Sequence, residues 1–336
     1  MKKDLNKFIS NKIALRKNNY FALIIGNSHS KGARSPILWN KAYKFFKKKT
    51  RMYPADVTEN KLKSLCEYLK FNKYFIGSSV TVPFKEKVIS YLDTIDKNAL
   101  AIGSVNTIIK KKNKLHGINT DYHGSLYSLK KIPIKKKKQR ILVIGCGGAG
   151  KACIVSIINY FKDSQILVFN RNKKKLMTFI RRLKIKNKNS LKHLSSLKDF
   201  KKIKKIDLIV NTTSIGFDSW IKQKKYFNLK EYSPVSLVKF KEIKSKSIDK
   251  FKVKNKEKIN RNILETFNFL KSFKNLSIFD IIYQPNTTTL MKIGSLLGFR
   301  VYNGLTMNFV QAVEAFKIVN NKKNINQVMK GMNYGK

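Results

Sequence analysis

Apolar positions along this 336-residue chain fall into two alternating patterns. Short continuous runs occupy Tyr20–Gly26, Arg51–Ala55 and Gly77–Val82, and later Arg140–Ile144, Gln165–Phe169, Asp207–Asn211 and Ile278–Ile282. Runs of this length, closed by Gly, Pro or polar turns, predict strands buried on both faces. Between them lie stretches with helical spacing. Ile37–Phe46, opened by Ser35-Pro36, puts Leu38, Ala42, Phe45 and Phe46 on one face. Leu62–Leu69 repeats leucine at 62, 65 and 69, and Met307–Val319 carries Val310, Val313 and Phe316. Alternation of this kind predicts βαβ units on mainly parallel sheets.

The chain is long enough for two domains. The basic run Lys135–Lys138 separates the first group of strands from the second. One stretch, about 236–275, breaks the pattern: it is Lys-rich, weakly periodic and free of Gly and Pro. It reads as a surface insertion, helical over Ile263–Phe273 and loose elsewhere, with a partner-binding element as the alternative. No apolar run approaches the roughly 20 residues that span a bilayer. The charged start Met1-Lys2-Lys3-Asp4 is not followed by the apolar segment and cleavage site of a secretory signal. Cys66, Cys146 and Cys153 are odd in number and lack metal-ligand spacing. These features predict a cytoplasmic protein with free thiols, no metal and no membrane partner.

Charge changes the picture less than its size suggests. Lys and Arg total 72 against 19 Asp and Glu, a net charge of +53. Nucleic-acid binding is one explanation. However, the excess is nearly all lysine, is spread over every segment, and accompanies abundant Asn, Ile and Phe, as codon usage in an A- and T-rich genome would produce. Nucleic acid is therefore not the expected partner. Either way, so positive a field attracts anionic substrates and phosphate-bearing cofactors.

Gly145-Cys146-Gly147-Gly148-Ala149-Gly150 follows a predicted strand and opens the predicted helix Lys151–Tyr160. In that context the spacing predicts a Rossmann-type dinucleotide site: Gly145 for the turn, Gly147 for close approach to a pyrophosphate, and Gly150 for helix–strand packing. Gly148 and Ala149 lie at the helix N-terminus, whose N–H groups favour an anion. The next strand ends in Asn170-Arg171-Asn172 with Lys173, Lys174 and Lys175 behind it, where an NAD site usually carries a carboxylate. With no acid to repel a 2′-phosphate and a guanidinium to pair with it, NADP is the predicted cofactor.

Three further motifs precede this loop: Val80-Thr81-Val82-Pro83-Phe84-Lys85, Gly103-Ser104-Val105-Asn106-Thr107 and Asn119-Thr120-Asp121. Their order, continued by Asn211-Thr212-Thr213-Ser214, Asp280-Ile281-Ile282-Tyr283-Gln284 and Gln311, closely resembles the shikimate dehydrogenase family. The resemblance covers most of the chain outside the Lys-rich stretch and the extreme termini. It implies NADPH-dependent reduction of 3-dehydroshikimate to shikimate, a step toward chorismate and the aromatic amino acids. It further implies that Lys85 and Asp121 are the catalytic pair, that Thr81, Asn106, Tyr283 and Gln311 bind substrate, and that Ile281, Gly304 and Met307 line the nicotinamide. Asn170, Arg171 and Lys175 are the expected 2′-phosphate contacts. Asp121 also suits a helix N-cap.

The implied architecture is α/β with two domains. A substrate domain of 1–120 is completed by helices in 304–336, and a Rossmann-type NADP domain spans 121–303, with the active site in the cleft between them. The chain is expected to be a monomer or homodimer acting on a small molecule. Two departures touch substrate. The family's H-S-K-S-P motif supplies two serines to the substrate carboxylate; aligned on Ser35-Pro36, Ser35 is kept but Ala33 replaces the other. Ser30 is the candidate substitute, and Arg34 a further one. Ser79 stands where the family commonly has Asn. The alternatives are an NAD-using quinate/shikimate dehydrogenase, a basic nucleic-acid-binding protein on the same scaffold, and a relative of glutamyl-tRNA reductase. The last lacks its nucleophile, since Cys66 lies in an apolar helical stretch.

Overall fold

The computed structural model describes residues 4–28, 30, 32–183, 190–217, 230–236, 238 and 248–333. They form two compact units, Met1–Ser125 with Asn308–Lys336, and Leu126–Met307. The chain passes between units inside two helices, α4 (Asp121–Lys130) and α9 (Leu305–Val319).

The first unit is built on a six-stranded sheet. Its strands are β1 (Phe21–Gly26), β2 (Arg51–Asp56), β3 (Phe75–Val80), β4 (Thr94–Ile95), β5 (Thr107–Lys111) and β6 (Lys114–Ile118), in the order β2-β1-β3-β5-β6-β4. β1 pairs in parallel with β2 and β3, whereas β5 is antiparallel to β3 and β6. β1 is buried along its whole length because both faces are covered. Phe21, Leu23 and Ile25 pack with α2 (Leu62–Phe71). Ala22 and Ile24 pack with α1 (Arg34–Phe45), α9 and α10 (Ile325–Met332).

The core face of α1 is Leu38, Trp39, Ala42 and Tyr43, not the predicted set with Phe45 and Phe46, which are half-buried. Trp39 Nε1 donates to the Ala312 carbonyl on α9, and its ring meets Phe316 edge-on at 5.3 Å. Paired aromatics of this kind add about 0.5–1.5 kcal/mol beyond their burial. The N-terminal segment also joins the core: Leu5, Ile9 and Ile13 are buried, and Asn11 bonds the backbone of Pro54 and Asp56 on β2.

The second unit has six parallel strands: β7 (Arg140–Ile144), β8 (Gln165–Phe169), β9 (Leu191–Leu194), β10 (Leu208–Asn211), β11 (Ser277–Asp280) and β12 (Arg300–Tyr302). Their order, β12-β11-β10-β7-β8-β9, is that of a doubly wound nucleotide-binding sheet. The strand order reverses between β7 and β10, and ligands bind such sheets at the carboxyl ends beside that switch. Helices α5 (Gly148–Tyr160), α6 (Lys173–Arg182), α7 (Ile248–Leu270) and α8 (Thr289–Leu296) complete it, with α3 (Lys97–Ile102) belonging to the first unit.

The Lys-rich stretch differs from expectation. Residues 237 and 239–247 lie outside the described residues, but α7 starts fifteen residues before the predicted helix and is not a surface appendage. Its buried stripe is Asn255, Asn262, Thr266 and Leu270, with Phe273 just beyond. Three of these are polar, so the helical period is invisible to a hydrophobic count. Asn262 bonds both the N–H and the carbonyl of Ser233, and Ser236 donates to Glu265, which docks the 233–236 segment on the helix.

Candidate active site

In the first unit the ends of β3 and β6 and the start of α4 converge on one ion pair. The turn after β3 carries Lys85, and Lys85 Nζ donates to Asp121 Oδ2 at 2.5 Å. The pair is largely removed from water: the two side chains are 17% and 8% exposed. Asp121 is the first residue of α4, yet its carboxylate does not cap the helix. Asn119 Oδ1, a side-chain amide oxygen, instead accepts the Tyr122 N–H at the start of the helix, and the Asp121 carboxylate turns toward Lys85.

Asn106, buried between β3 and β6, holds the carboxylate. Its backbone carbonyl accepts the Val80 N–H and its own N–H donates to Ile118. Its side-chain NH₂ reaches Asp121 Oδ1 at 2.9 Å, Thr120 Oγ1 at 3.0 Å and Gln311 Oε1 at 3.3 Å. Its Oδ1 accepts the Thr120 N–H at 2.7 Å. Residues 85, 106, 121 and 311 therefore form one hydrogen-bonded group around an ammonium. Such a group can stabilise negative charge developing on a carbonyl oxygen and donate a proton to it.

Thr81 and Ser35 are half-buried in the same unit, on the loop after β3 and in the first turn of α1. Ser30 is exposed and tied elsewhere: its N–H and hydroxyl both donate to the Asp56 carboxylate at the end of β2. Sequence reasoning missed two partners, Asp56 and Asn308. Asn308 Oδ1 accepts from Arg34, and its backbone carbonyl accepts from Gln311. Neither sits in a recognisable motif, so no local signal marks them.

The candidate cofactor residues all lie in the second unit. Gly145 follows β7 with φ +105°, a positive φ that favours glycine. A Cβ on Gly145 or Gly150 would stand 2.6 Å from Thr212 Oγ1, so these positions hold loop, α5 and β10 together. A Cβ on Gly147 would meet nothing within 4 Å: this N-cap of α5 faces open space, where a pyrophosphate can approach the helix N–H groups. Asn170 pins the loop to the end of β8 by accepting the Cys146 N–H and donating to the Asn172 carbonyl. Arg171 is exposed beside it. Lys173, Lys174 and Lys175 form the first turn of α6, which has no acidic residue. Cations at a helix N-terminus oppose its dipole, and a bound phosphate would relieve that conflict. The residues present therefore fit a 2′-phosphorylated dinucleotide.

Ile281, Tyr283, Gly304 and Met307 lie beyond β11 and β12 of the same unit. The backbones of Ile281 and Gly304 are so close that a Cβ on Gly304 would fall 1.7 Å from the Ile281 carbonyl oxygen. Behind them Asp280 is fully buried and accepts from Asn211 at 3.0 Å, Thr288 at 2.8 Å and the Ile282 N–H at 3.1 Å. With only neutral donors around it, burial pushes the Asp280 carboxyl up to about 6 against those hydrogen bonds. Among the described residues, no three His, Cys, Asp or Glu side chains group as metal ligands.

The chain is similar to known proteins over most of its length. The family described as "Shikimate dehydrogenase substrate binding domain" matches residues 24–108. The shikimate dehydrogenase (NADP(+)) of Aquifex aeolicus (strain VF5) is 30% identical over 290 residues, 86% of this chain and 87% of the relative. That of Halothermothrix orenii is 32% identical over 292 residues, 84% and 85% of the two chains. A shikimate dehydrogenase crystallised with NADP+ superimposes with a TM-score of 0.71 at 25% identity, covering 96% of this chain and 98% of its own. The chain belongs to the shikimate dehydrogenase family.

Proposed function

We propose that the protein is an NADP-dependent shikimate dehydrogenase, catalysing the reversible reduction of 3-dehydroshikimate to shikimate on the route to chorismate and the aromatic amino acids. The observation that carries the reading is the Lys85–Asp121–Asn106 group, set in a chain whose relatives bear that activity.

NADPH, when bound, supplies the hydride. The chain's own residues handle the charge that results. Lys85 stabilises the oxyanion forming on the ketone oxygen and passes it a proton; in the oxidative direction the neutral amine takes that proton back. Asp121 aims the amine through their ion pair, and Asn106 fixes the carboxylate by bonding its other oxygen. Thr81, Gln311 and Tyr283 supply hydroxyl and amide groups suited to a polyol ring. The Gly147–Gly150 turn receives the pyrophosphate, and Arg171 with the lysines of α6 receives the 2′-phosphate.

An enzyme of this kind works in the cytoplasm. No helix among the described residues is long and apolar enough to cross a membrane.

Turnover of shikimate and quinate with NADP+ and with NAD+ tests the reading. Shikimate with NADP+ is expected to give the highest kcat/KM of the four. A preference for NAD+ would overturn the cofactor assignment, and a preference for quinate the substrate.

A further inference from the structure

We propose that Arg34 is the cation that binds the substrate carboxylate in this protein, an inference that rests on the shikimate dehydrogenase reading above. Shikimate carries a ring carboxylate, and of the two serines expected to receive it Ser35 is kept while Ala33 replaces the other. Ala33, the N-cap of α1, has no polar side-chain atom. Ser30, the nearest replacement in sequence, has a single hydroxyl proton and directs it to Asp56. The Asp56 charge beside that oxygen would repel a second carboxylate.

Arg34 lies immediately between Ala33 and Ser35, in the first turn of α1. Its Nη1 donates to Asn308 Oδ1 at 3.2 Å. The Asn308 carbonyl accepts from Gln311 Nε2 at 3.0 Å, and Gln311 Oε1 accepts from the Asn106 amide that also bonds Asp121. An unbroken series of hydrogen bonds thus runs from the Arg34 guanidinium to Lys85 within the first unit. It couples a second cation to the catalytic pair. The two positive charges have separate tasks: Lys85 faces the reacting oxygen, and Arg34 orients the ring by its carboxylate.

Residue type supports the assignment. Only nine of the 72 basic residues are arginine. In so lysine-rich a chain, a solvated charge would be served by lysine. A planar guanidinium is the group that holds a carboxylate through two parallel bonds while anchored on an amide.

The test compares shikimate with its methyl ester, which lacks the charge, on wild type, Arg34→Ala and Arg34→Lys. Shikimate affinity is measured by calorimetry without turnover, alongside KM and kcat. Arg34→Ala is expected to weaken shikimate binding and raise KM by about 10- to 100-fold, with kcat within about 3-fold, and to leave the ester nearly unchanged. Arg34→Lys should fall between, and adding Ala33→Ser to Arg34→Ala should recover part of the loss. Wild-type shikimate affinity in Arg34→Ala, or equal losses for shikimate and ester, would overturn the assignment. NADP+ affinity and melting temperature report folding. If Arg34→Ala does not fold, the decision passes to Arg34→Lys, where an unchanged preference for shikimate over ester refutes the proposal. Failure of wild type to oxidise shikimate would instead sink the functional reading, and this proposal with it.

Discussion

Among the described residues each unit buries one carboxylate at the carboxyl end of its sheet, and the two are satisfied in opposite ways. Asp121, in the first unit, touches an ammonium and an amide. Asp280, in the second, touches an amide, a hydroxyl and a backbone N–H, all neutral. Both groups are nearly closed to water, so burial alone does not distinguish them. The partner does. A buried carboxylate beside a lysine can serve acid–base chemistry, whereas one among neutral donors clamps the backbone. Asp280 ties the end of β10, through Asn211, to Thr288 at the start of α8. That clamp fixes the backbone leading into Ile281 and Tyr283.

The largest loss of activity is expected at Asp121. Asp121→Asn keeps the shape and the oxygen that Asn106 bonds but removes the charge facing Lys85. Its kcat for shikimate oxidation is expected to fall about 10³-fold with little change in melting temperature. A loss of stability without loss of turnover would make Asp121 a clamp too.

Asp280 should answer in stability rather than rate. Its carboxyl stands at about 6 in the folded protein against an ordinary 3.8, so the folded state holds the proton more tightly. Its contribution to stability is therefore full below pH 4 and is lost as pH rises through about 6, by roughly 3 kcal/mol at 1.36 kcal/mol per pH unit. Denaturant unfolding of wild type and Asp280→Asn between pH 4 and 7 checks this. The wild-type value should fall relative to the variant as pH rises, and parallel curves would contradict it.

A smaller effect separates the units by ligand. Arg171→Ala is expected to raise KM for NADP+ about 10-fold, equivalent to about 1.4 kcal/mol. KM for shikimate and kcat at saturation should hardly change. Isothermal titration with NADP+ and NAD+ sharpens the point, because the variant should lose most of its discrimination between them.

The second unit was the more legible in sequence because its site is local. Strand, glycine turn and helix are consecutive from Arg140 to Tyr160, and Asn170-Arg171 follows the next strand directly. In the first unit the motifs marked Lys85, Asn106 and Asp121, but nothing local tied them to Gln311, 190 residues after Asp121, or to Asn308 and Asp56. Elements were lost where lysine masks the period. The β5–β6 hairpin turns at Lys112 with positive φ, amid Lys110, Lys111 and Lys114, and of its buried positions only Ile108, Ile109 and Leu115 are large and apolar, the others being Thr107 and Gly117. In α7 the buried stripe is mostly Asn and Thr, so the helix was foreseen only at its apolar end.

On the proposed function, chemistry resides in the first unit at Lys85 and cofactor recognition in the second. Measuring kcat for NADP+-linked shikimate oxidation and NADP+ affinity on the same preparation of Lys85→Ala tests it most directly. The account predicts a loss of at least ~10² in kcat with NADP+ affinity within about 2-fold of wild type. Wild-type turnover in Lys85→Ala would contradict it.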